Sequence, residues 1–230
     1  ANATTSQTFD VTVNPVNDVP TLVQPNNLTV DEDAPEQTVD LAGITAGGGE
    51  TQNLAVTAVS SNTDLIADTT VDYTSAEATG SLKFTPLADQ HGTSTITVTV
   101  EDGGLDNDLA TSEDNATTSR TFDVTVNPVN DVPTLVQPDN VTVDEDAPEQ
   151  TVDLTGITAG GGETQPLRVT ASSSNTDLIA NPSVIYTSAE STGSIKFTPL
   201  ADQSGTSTIT VSVEDGGLDN NLATTGDNLT

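Results

Sequence analysis

The sequence predicts an all-β protein that consists of two tandem Greek-key antiparallel β-sandwiches placed end to end. Three observations lead to this prediction. The chain contains a long internal repeat, its apolar residues alternate with polar ones along short segments, and clusters of turn-forming residues separate those segments.

The internal repeat has a period of 113 residues, because residues 14–20 return unchanged at 127–133. Residues 14–117 are identical to residues 127–230 at 86 of 104 positions. A repeat of this length has the size of one ordinary domain. We therefore assign residues 1–13 to the last strand of a preceding repeat. The first repeat is then 14–126, with a linker at 14–20, and the second is 127–230, with a linker at 127–133 and without its last strand.

Each repeat is predicted to contain about seven short strands. In residues 95–100 the apolar side chains Ile96, Val98 and Val100 point to one face and threonines point to the other, as in a half-buried strand. The candidate strands of the first repeat are 27–32, 37–41, 53–60, 65–73, 82–84, 95–100 and 122–126. Turn-forming residues cluster at 46–49, 61–64, 77–80 and 102–104. This number of strands in ~110 residues is typical of a Greek-key sandwich.

The few aromatic residues are predicted to lie in the core. Phe84, Phe122 and Tyr73 recur at the same places of the repeat as Phe197, Phe9 and Tyr186.

The composition limits the possible partners. The chain has 35 acidic residues, four Lys or Arg and a formal net charge of −31. Nucleic acids and anionic membrane surfaces would repel such a chain, so neither is an expected partner. Membrane insertion is not expected either, because no apolar stretch reaches the ~20 residues that span a bilayer. The acidic residues also repel one another, which salt or a bound cation such as Ca²⁺ would offset.

The sequence does not predict an enzyme. The chain has no Cys, and its single histidine, His91, is replaced by Ser204 in the second repeat. No pair of nucleophile and base can be assembled from such residues.

Several motifs resemble those of cadherin repeats. The linker Val129-Asn130-Asp131-Val132-Pro133 resembles the acidic cadherin linker, as do residues 16–20. Glu32 stands where cadherins carry a Glu at the end of the first strand, and Asp89 stands where they carry an Asp-Arg-Glu motif. Residues 100–104 resemble the end of the sixth cadherin strand. The resemblance is closest to the cadherin-like modules of large bacterial surface and secreted proteins.

This resemblance implies an extracellular or cell-surface protein that binds Ca²⁺. In the topology that it implies, five oxygen ligands would meet at the junction between the repeats: Glu32, Asp89, Asn130, Asp131 and Asp215. The equivalent positions in the other copy of each motif are Asn17, Asp18, Asp102, Glu145 and Asp202. Several anionic oxygens at one place are typical of a calcium shell.

One departure from the cadherin pattern reduces the expected number of ions at the junction, and a second acidic segment is not expected to add a site. The Asp-x-Asp motif between the second and third strands is missing, and residues 45–50 offer only Glu50 there. The acidic loop 105–114 lacks the Gly that an EF-hand loop needs at its sixth position, so we interpret it as a solvated loop.

The sequence therefore predicts a non-enzymatic extracellular stalk or filament-building repeat that calcium makes rigid. Two alternatives stay open. One is a carbohydrate-binding module, for which Tyr73 and Tyr186 are the available stacking residues, and the other is a passive, salt-adapted spacer without a specific metal. The expected partners are the neighbouring repeats of the same chain. In addition, residues 6–13 could add as a strand to the second repeat of another chain.

Overall fold

A computed structural model describes residues 2–224 and 226–230 of the chain. The chain divides into two compact units, unit 1 at Ala1–Asn127 and unit 2 at Pro128–Thr230. All the secondary structure of the described residues consists of strands, bridges and turns, so the predicted all-β class is confirmed.

Unit 1 contains seven strands in two sheets. In chain order they are β1 (Leu28–Asp31), β2 (Gln37–Ala42), β3 (Leu54–Ser60), β4 (Thr69–Asp72), β5 (Thr79–Phe84), β6 (Gly92–Asp102) and β7 (Thr117–Asn127). One sheet has the order β1-β7-β6-β3, and the other has the order β2-β5-β4. β1 runs parallel to β7, while the other neighbours are antiparallel. Both sheets contribute inward-facing residues to one apolar core, which makes the unit a β-sandwich.

Alternation of apolar and polar residues places the core of unit 1. Along β6 every second residue is buried, and β7 buries Phe122, Val124 and Val126 in the same way. The residues of β2 and β5 that face them include Leu41, Leu82 and Phe84. The predicted core role of Phe84 and Phe122 is therefore confirmed.

Unit 2 contains five strands among its described residues. They are β8 (Gln150–Thr155), β9 (Leu167–Ser173), β10 (Ser183–Ile185), β11 (Thr192–Phe197) and β12 (Ile209–Asp215). The order β10-β11-β8 repeats that of β4-β5-β2, whereas β12 pairs with β9 alone.

The structure differs from the predicted strands at three places. Only 69–72 of the predicted strand 65–73 is extended, because Leu65 and Ile66 belong to a turn whose side chains are buried. The predicted turn at 77–80 includes the first two residues of β5. Residues 141–144 of unit 2 form no strand, although they correspond to β1. The physical reason is that β1 pairs only with β7, and the described residues of unit 2 provide no counterpart of β7.

The largest difference concerns the segment 6–13, which forms no strand in this structure. Phe9 is 86% exposed, so the prediction that it lies in the core was wrong. A strand needs a neighbour for its backbone donors and acceptors, and no backbone hydrogen bond of this segment to a neighbouring strand is found among the described residues.

Candidate metal centre

Asp102, the last residue of β6, is fully buried and organises the end of unit 1 from which the linker enters. Its Oδ1 accepts three hydrogen bonds, from the backbone nitrogens of Gly104 (3.0 Å) and Ala116 (2.9 Å) and from Asn17 Nδ2 (3.0 Å). A strand end, the following loop and the linker thus meet on one carboxylate oxygen.

The side-chain amides around Asp102 have fixed orientations. A carboxylate only accepts hydrogen bonds in this setting, so Asn17 must present its NH₂ group to Asp102 and its oxygen elsewhere. That oxygen accepts a hydrogen bond of 2.7 Å from Gln52 Nε2, which turns Gln52 Oε1 away from Asn17. Asn115 Nδ2 similarly donates to Glu101 Oε1 at 3.1 Å. The other amide atom, Asn115 Oδ1, then has no hydrogen-bond donor.

Three residues of this hydrogen-bonded network each leave one buried acceptor oxygen without a hydrogen-bond partner. These oxygens are Asp102 Oδ2, Gln52 Oε1 and Asn115 Oδ1. Each unsatisfied buried polar group costs about 1–3 kcal/mol. All three are oxygens that accept and none is a donor, so only a donor or a cation can satisfy them. We call the residues Asn17, Gln52, Asp102 and Asn115 the Asp102 cluster.

Unit 2 repeats this arrangement atom for atom. Asp215, also fully buried, accepts hydrogen bonds from Asn130 Nδ2 (3.1 Å), Gly217 N (2.9 Å) and Leu229 N (3.1 Å). Gln165 Nε2 donates to Asn130 Oδ1 at 2.7 Å. The oxygens without a hydrogen-bond partner are again Asp215 Oδ2, Gln165 Oε1 and Asn228 Oδ1. We call Asn130, Gln165, Asp215 and Asn228 the Asp215 cluster.

No basic side chain neutralises Asp102 among the described residues. Lys83 and Lys196 pair with Glu36 and Glu149, and Arg168 pairs with Glu214. The guanidinium of Arg120 donates to the backbone oxygen of Ser119. The Asp102 cluster therefore has no basic partner among the described residues, and it is rich in the hard oxygen ligands that Ca²⁺ takes.

The linker is held close to the glycine-rich loop of the same unit. In unit 1 the backbone nitrogen of Asp18 donates to Glu50 Oε2 at 3.1 Å. A Cβ atom on Gly48, which has φ +49°, would lie 1.9 Å from Asp18 Oδ2. Glycine is therefore required here, and it stands in the loop where the cadherin pattern has its Asp-x-Asp motif. In unit 2 Asp131 and Glu163 make the same contact, and their carboxylate oxygens lie within 4.8 Å of each other.

The other predicted ligand positions of unit 1 lie near the end of β1. Glu32 is buried, and its Oε2 lies 3.7 Å from His91 Nδ1. Asp89 is exposed, and its backbone nitrogen donates to Asp33 Oδ1 at 3.4 Å. Carboxylate oxygens of Asp33 and Asp89 lie within 4.8 Å of each other.

In unit 2 the corresponding residues Glu145 and Asp202 are both exposed, and Asp202 N donates to Asp146 Oδ1 at 3.3 Å.

Two of the predicted pairs are brought together within a unit, namely Asn17 with Asp102 and Asn130 with Asp215. The predicted junction combines ligands from both units and stays a prediction. Sequence reasoning missed the amide residues Gln52, Asn115, Gln165 and Asn228, because neutral side chains do not stand out as ligands in an acidic chain. Identity between the two repeats was no signal for them, because 86 of 104 positions are identical.

The two tyrosines pack against the apolar cores of their units instead of forming an exposed platform. Burial is the main cause that raises the pKa of Tyr73 above its ordinary value. A hydrogen bond from the backbone of Ala76 acts in the opposite direction, and the nearby charge of Glu77 adds to the rise. The pKa of Tyr186 is raised for the same reasons. Tyr73 and Tyr186 are therefore poorly placed to stack on a sugar.

The chain resembles known sequences and solved structures only distantly. No curated protein sequence matches this chain. Among solved structures, titin domains z1z2 in complex with telethonin are 13% identical, with 87% of this chain and 90% of that chain covered and a TM-score of 0.33. Domains 1–6 of surface layer protein SbsC are 15% identical over 89% of this chain, with a TM-score of 0.35, and the chain spans 24% of that protein. At these TM-scores the likenesses carry no argument about function.

No helix that could span a membrane occurs in the described part of the chain.

Residues 130–225 match the family model of the bacterial Ig domain. Residues 14–117 are identical to residues 127–230 at 86 of 104 positions, so unit 1 has nearly the same sequence as this matched unit. Unit 2 is therefore similar to a bacterial Ig domain, which is a coarser relationship than the cadherin-like motifs imply.

Proposed function

We propose that the chain is a non-enzymatic structural repeat of an extracellular or surface protein, and that each unit binds a calcium ion at its Asp102 or Asp215 cluster. The observation that carries the proposal is the set of three buried, unpartnered acceptor oxygens that occurs in both units. Such a set fits a hard cation with oxygen ligands. The similarity of residues 130–225 to a bacterial Ig domain supports the structural role and the surface location.

Asp102, Gln52 and Asn115 would contribute the oxygens that hold the ion in unit 1. Calcium takes six to eight oxygen ligands, so backbone oxygens and water would complete the shell. The ion would fasten the linker to the loop after β6, because Asn17 and Ala116 both bond to the carboxylate that binds it. A linker fastened in this way suits a stalk.

The alternative of a carbohydrate-binding module has less support, since both tyrosines pack against their cores. The alternative of a passive spacer differs from our proposal in its response to ions alone. It predicts that every salt stabilises the chain equally through screening.

The test is calcium binding and thermal unfolding of the whole chain after chelation. We expect calcium to raise the melting temperature well beyond sodium chloride of equal ionic strength. A ligand at 100 times its dissociation constant adds about 2.7 kcal/mol to the free energy of unfolding. Asp102→Asn should remove one bound calcium in equilibrium dialysis, and Asp215→Asn should remove another.

Asp108→Asn is the matched control. Asp108 is an exposed acid in the loop after β6, and the second repeat naturally has Asn221 at this position. This variant should keep the calcium stoichiometry of the natural chain. The proposal fails if Asp102→Asn binds as much calcium as Asp108→Asn. Glu32→Gln tests the junction predicted from the sequence, because that residue is outside the Asp102 cluster.

A further inference from the structure

We propose that the pairs Asp102-Gly103 and Asp215-Gly216 are sites of isoaspartate formation that the fold holds back. In this reaction the glycine nitrogen attacks Cγ of the aspartate, and a carboxyl oxygen leaves as water together with the amide hydrogen and the carboxyl proton. Solvent water then opens the resulting succinimide, so that the backbone continues through the former side chain. One water leaves and one enters, so no oxidant or other reactant is required.

The sequence places this chemistry at the two clusters. Asp102-Gly103 and Asp215-Gly216 are the only Asp-Gly pairs of the chain, and Asn-Gly, which reacts in the same way, does not occur. Glycine favours the reaction because its nitrogen is not shielded by a side chain and its backbone rotates freely. Residues 101–105 and 214–218 have the same sequence, Glu-Asp-Gly-Gly-Leu, so the two pairs have the same intrinsic reactivity.

The fold of unit 1 restrains both reacting groups. Asp102 is fully buried, and its Oδ1 accepts three hydrogen bonds. The Gly103 nitrogen donates to the backbone oxygen of Asn53 at 2.9 Å. A carboxylate and a nitrogen that are both held by other partners are not free to rotate toward each other. The reaction therefore requires the loop after β6 to open, a local event that takes less free energy than unfolding of the whole unit.

Asn53 tethers this loop in unit 1. Besides accepting the hydrogen bond from Gly103, Asn53 donates its backbone nitrogen to Asn107 Oδ1 at 2.6 Å. Its Nδ2 donates to the backbone oxygen of Asn107 at 3.3 Å. Three hydrogen bonds thus join the residue before β3 to the loop, so Asn53 governs how often the Gly103 nitrogen is released.

Unit 2 lacks this tether. The residue equivalent to Asn53 is Pro166, which has neither a backbone N–H nor a side-chain amide. No hydrogen bond of the Gly216 nitrogen is found among the described residues. Asp215 itself is fully buried and accepts three hydrogen bonds, as Asp102 does. We therefore expect Asp215 to react faster than Asp102 in the folded chain, although the two local sequences are the same.

The modification changes what the carboxylate can hold. Isoaspartate adds one carbon atom to the backbone and leaves a carboxylate directly on Cα. The oxygen that accepts from Asn17, Gly104 and Ala116 then no longer lies among its three donors. A reversible opening of the loop thus becomes a permanent loss of the contact between linker and loop. A unit whose loop opens often has a limited lifetime for this reason.

Peptide mapping by mass spectrometry tests the proposal on the whole chain, after incubation in water enriched in the heavy oxygen isotope. Hydrolysis of the succinimide puts one heavy oxygen into the product. In urea we expect Asp102 and Asp215 to react at equal rates, and faster than Asp106, which precedes Asn107. In the folded chain both should be slower, with Asp215 ahead of Asp102. Equal rates in the folded and the urea-unfolded chain, or no excess over Asp106 in urea, would overturn the proposal.

Substitution of the tether residue tests its role. Asn53→Pro should speed the reaction at Asp102 by roughly tenfold, the factor for one or two lost hydrogen bonds, and leave Asp215 unchanged. Asn53→Ala is the control, because it keeps both backbone hydrogen bonds and should have a smaller effect. Pro166→Asn should slow the reaction at Asp215, and it decides the question if circular dichroism shows that Asn53→Pro does not fold. An unaltered rate at Asp215 in Pro166→Asn would contradict the tether.

Added calcium separates this inference from the proposed function, on which only this arm of the experiment rests. If the ion binds at the Asp102 and Asp215 clusters, calcium should slow both reactions in the folded chain and neither in urea. Sodium chloride of equal ionic strength is the reference. Rates that calcium leaves unchanged would count against the calcium sites, while the difference between folded and unfolded chains would still support the isoaspartate sites.

Discussion

At the residue scale, Arg168 distinguishes the two nearly identical units. It stands directly opposite Glu214 across β9 and β12, whereas unit 1 has Ala55 opposite Glu101. Arg168 Nε donates to Glu214 Oε2 at 2.9 Å, and its Nη2 bonds to the same oxygen. The hydrogen bond from Arg168 is the main cause that lowers the pKa of Glu214. Partial burial opposes this lowering, and Asn228 adds to it.

This pair makes the stability of unit 2 depend on acid pH. A carboxyl group with a lowered folded-state pKa stabilises the fold above its unfolded pKa, about 4.3 for Glu. That contribution is lost as the pH falls through the lowered pKa. Arg168→Ala should therefore raise the pKa of Glu214 and lower stability at neutral pH by about 0.2–1 kcal/mol, the range for a pair at the protein surface.

The measurement is an NMR titration of the glutamate side chains in the natural chain and in Arg168→Ala. Glu101, which has Ala55 opposite it, is the internal control. An unaltered titration of Glu214 would contradict this account.

At the element scale, the contrast between β6 and β12 shows how much a strand depends on its neighbours. β6 and β12 contain nearly the same sequence, yet β6 extends over Gly92–Asp102 and β12 only over Ile209–Asp215. The additional residues of β6 pair with β7, as in the register Gly92 to Val126. The length of the strand is thus decided by its partner, because an extended segment without a partner leaves its backbone groups unpaired.

Hydrogen exchange should report this contrast directly. The amides of β12 that point away from β9 should exchange faster than the equivalent amides of β6, which are bonded to β7. Amides that point toward β9 should be protected like their counterparts in unit 1. Equal protection of both edges would show that β12 has another neighbour in solution.

At the scale of the whole molecule, two units of similar sequence should differ in stability. Unit 1 buries Phe122, Val124 and Val126 of β7, and the described residues of unit 2 provide nothing equivalent. Burial of three such side chains is worth roughly 5 kcal/mol, on an area basis. Unit 2 should therefore unfold first, and unit 1 at a higher temperature.

Tyrosine fluorescence can separate the two transitions, because the chain has two tyrosines and no Trp. Tyr73→Phe leaves a reporter in unit 2, and Tyr186→Phe leaves one in unit 1. At low concentration the first variant should show the lower melting temperature. Added salt should raise both transitions, since a chain with a net charge of −31 is destabilised by its own repulsion. Coincident transitions would mean that the two units unfold together.

The sequence by itself determined the all-β class and most of the strands, and it placed Phe84 and Phe122 in a core. These features follow from local alternation and from turn residues, which act over a few positions of the chain. The paired residues Asn17 and Asp102 were also among the predicted ligands, because acidic and amide residues in repeated motifs stand out in the sequence.

Only the tertiary structure decided the rest. It showed that Gln52 and Asn115 each leave a side-chain oxygen without a hydrogen-bond partner, since the orientation of each amide depends on a hydrogen bond to a residue elsewhere in the chain. It also showed that two nearly identical segments, 4–13 and 117–126, have different structures. The reason is physical: a segment becomes a strand only where a neighbouring strand pairs with its backbone and a core receives its apolar face.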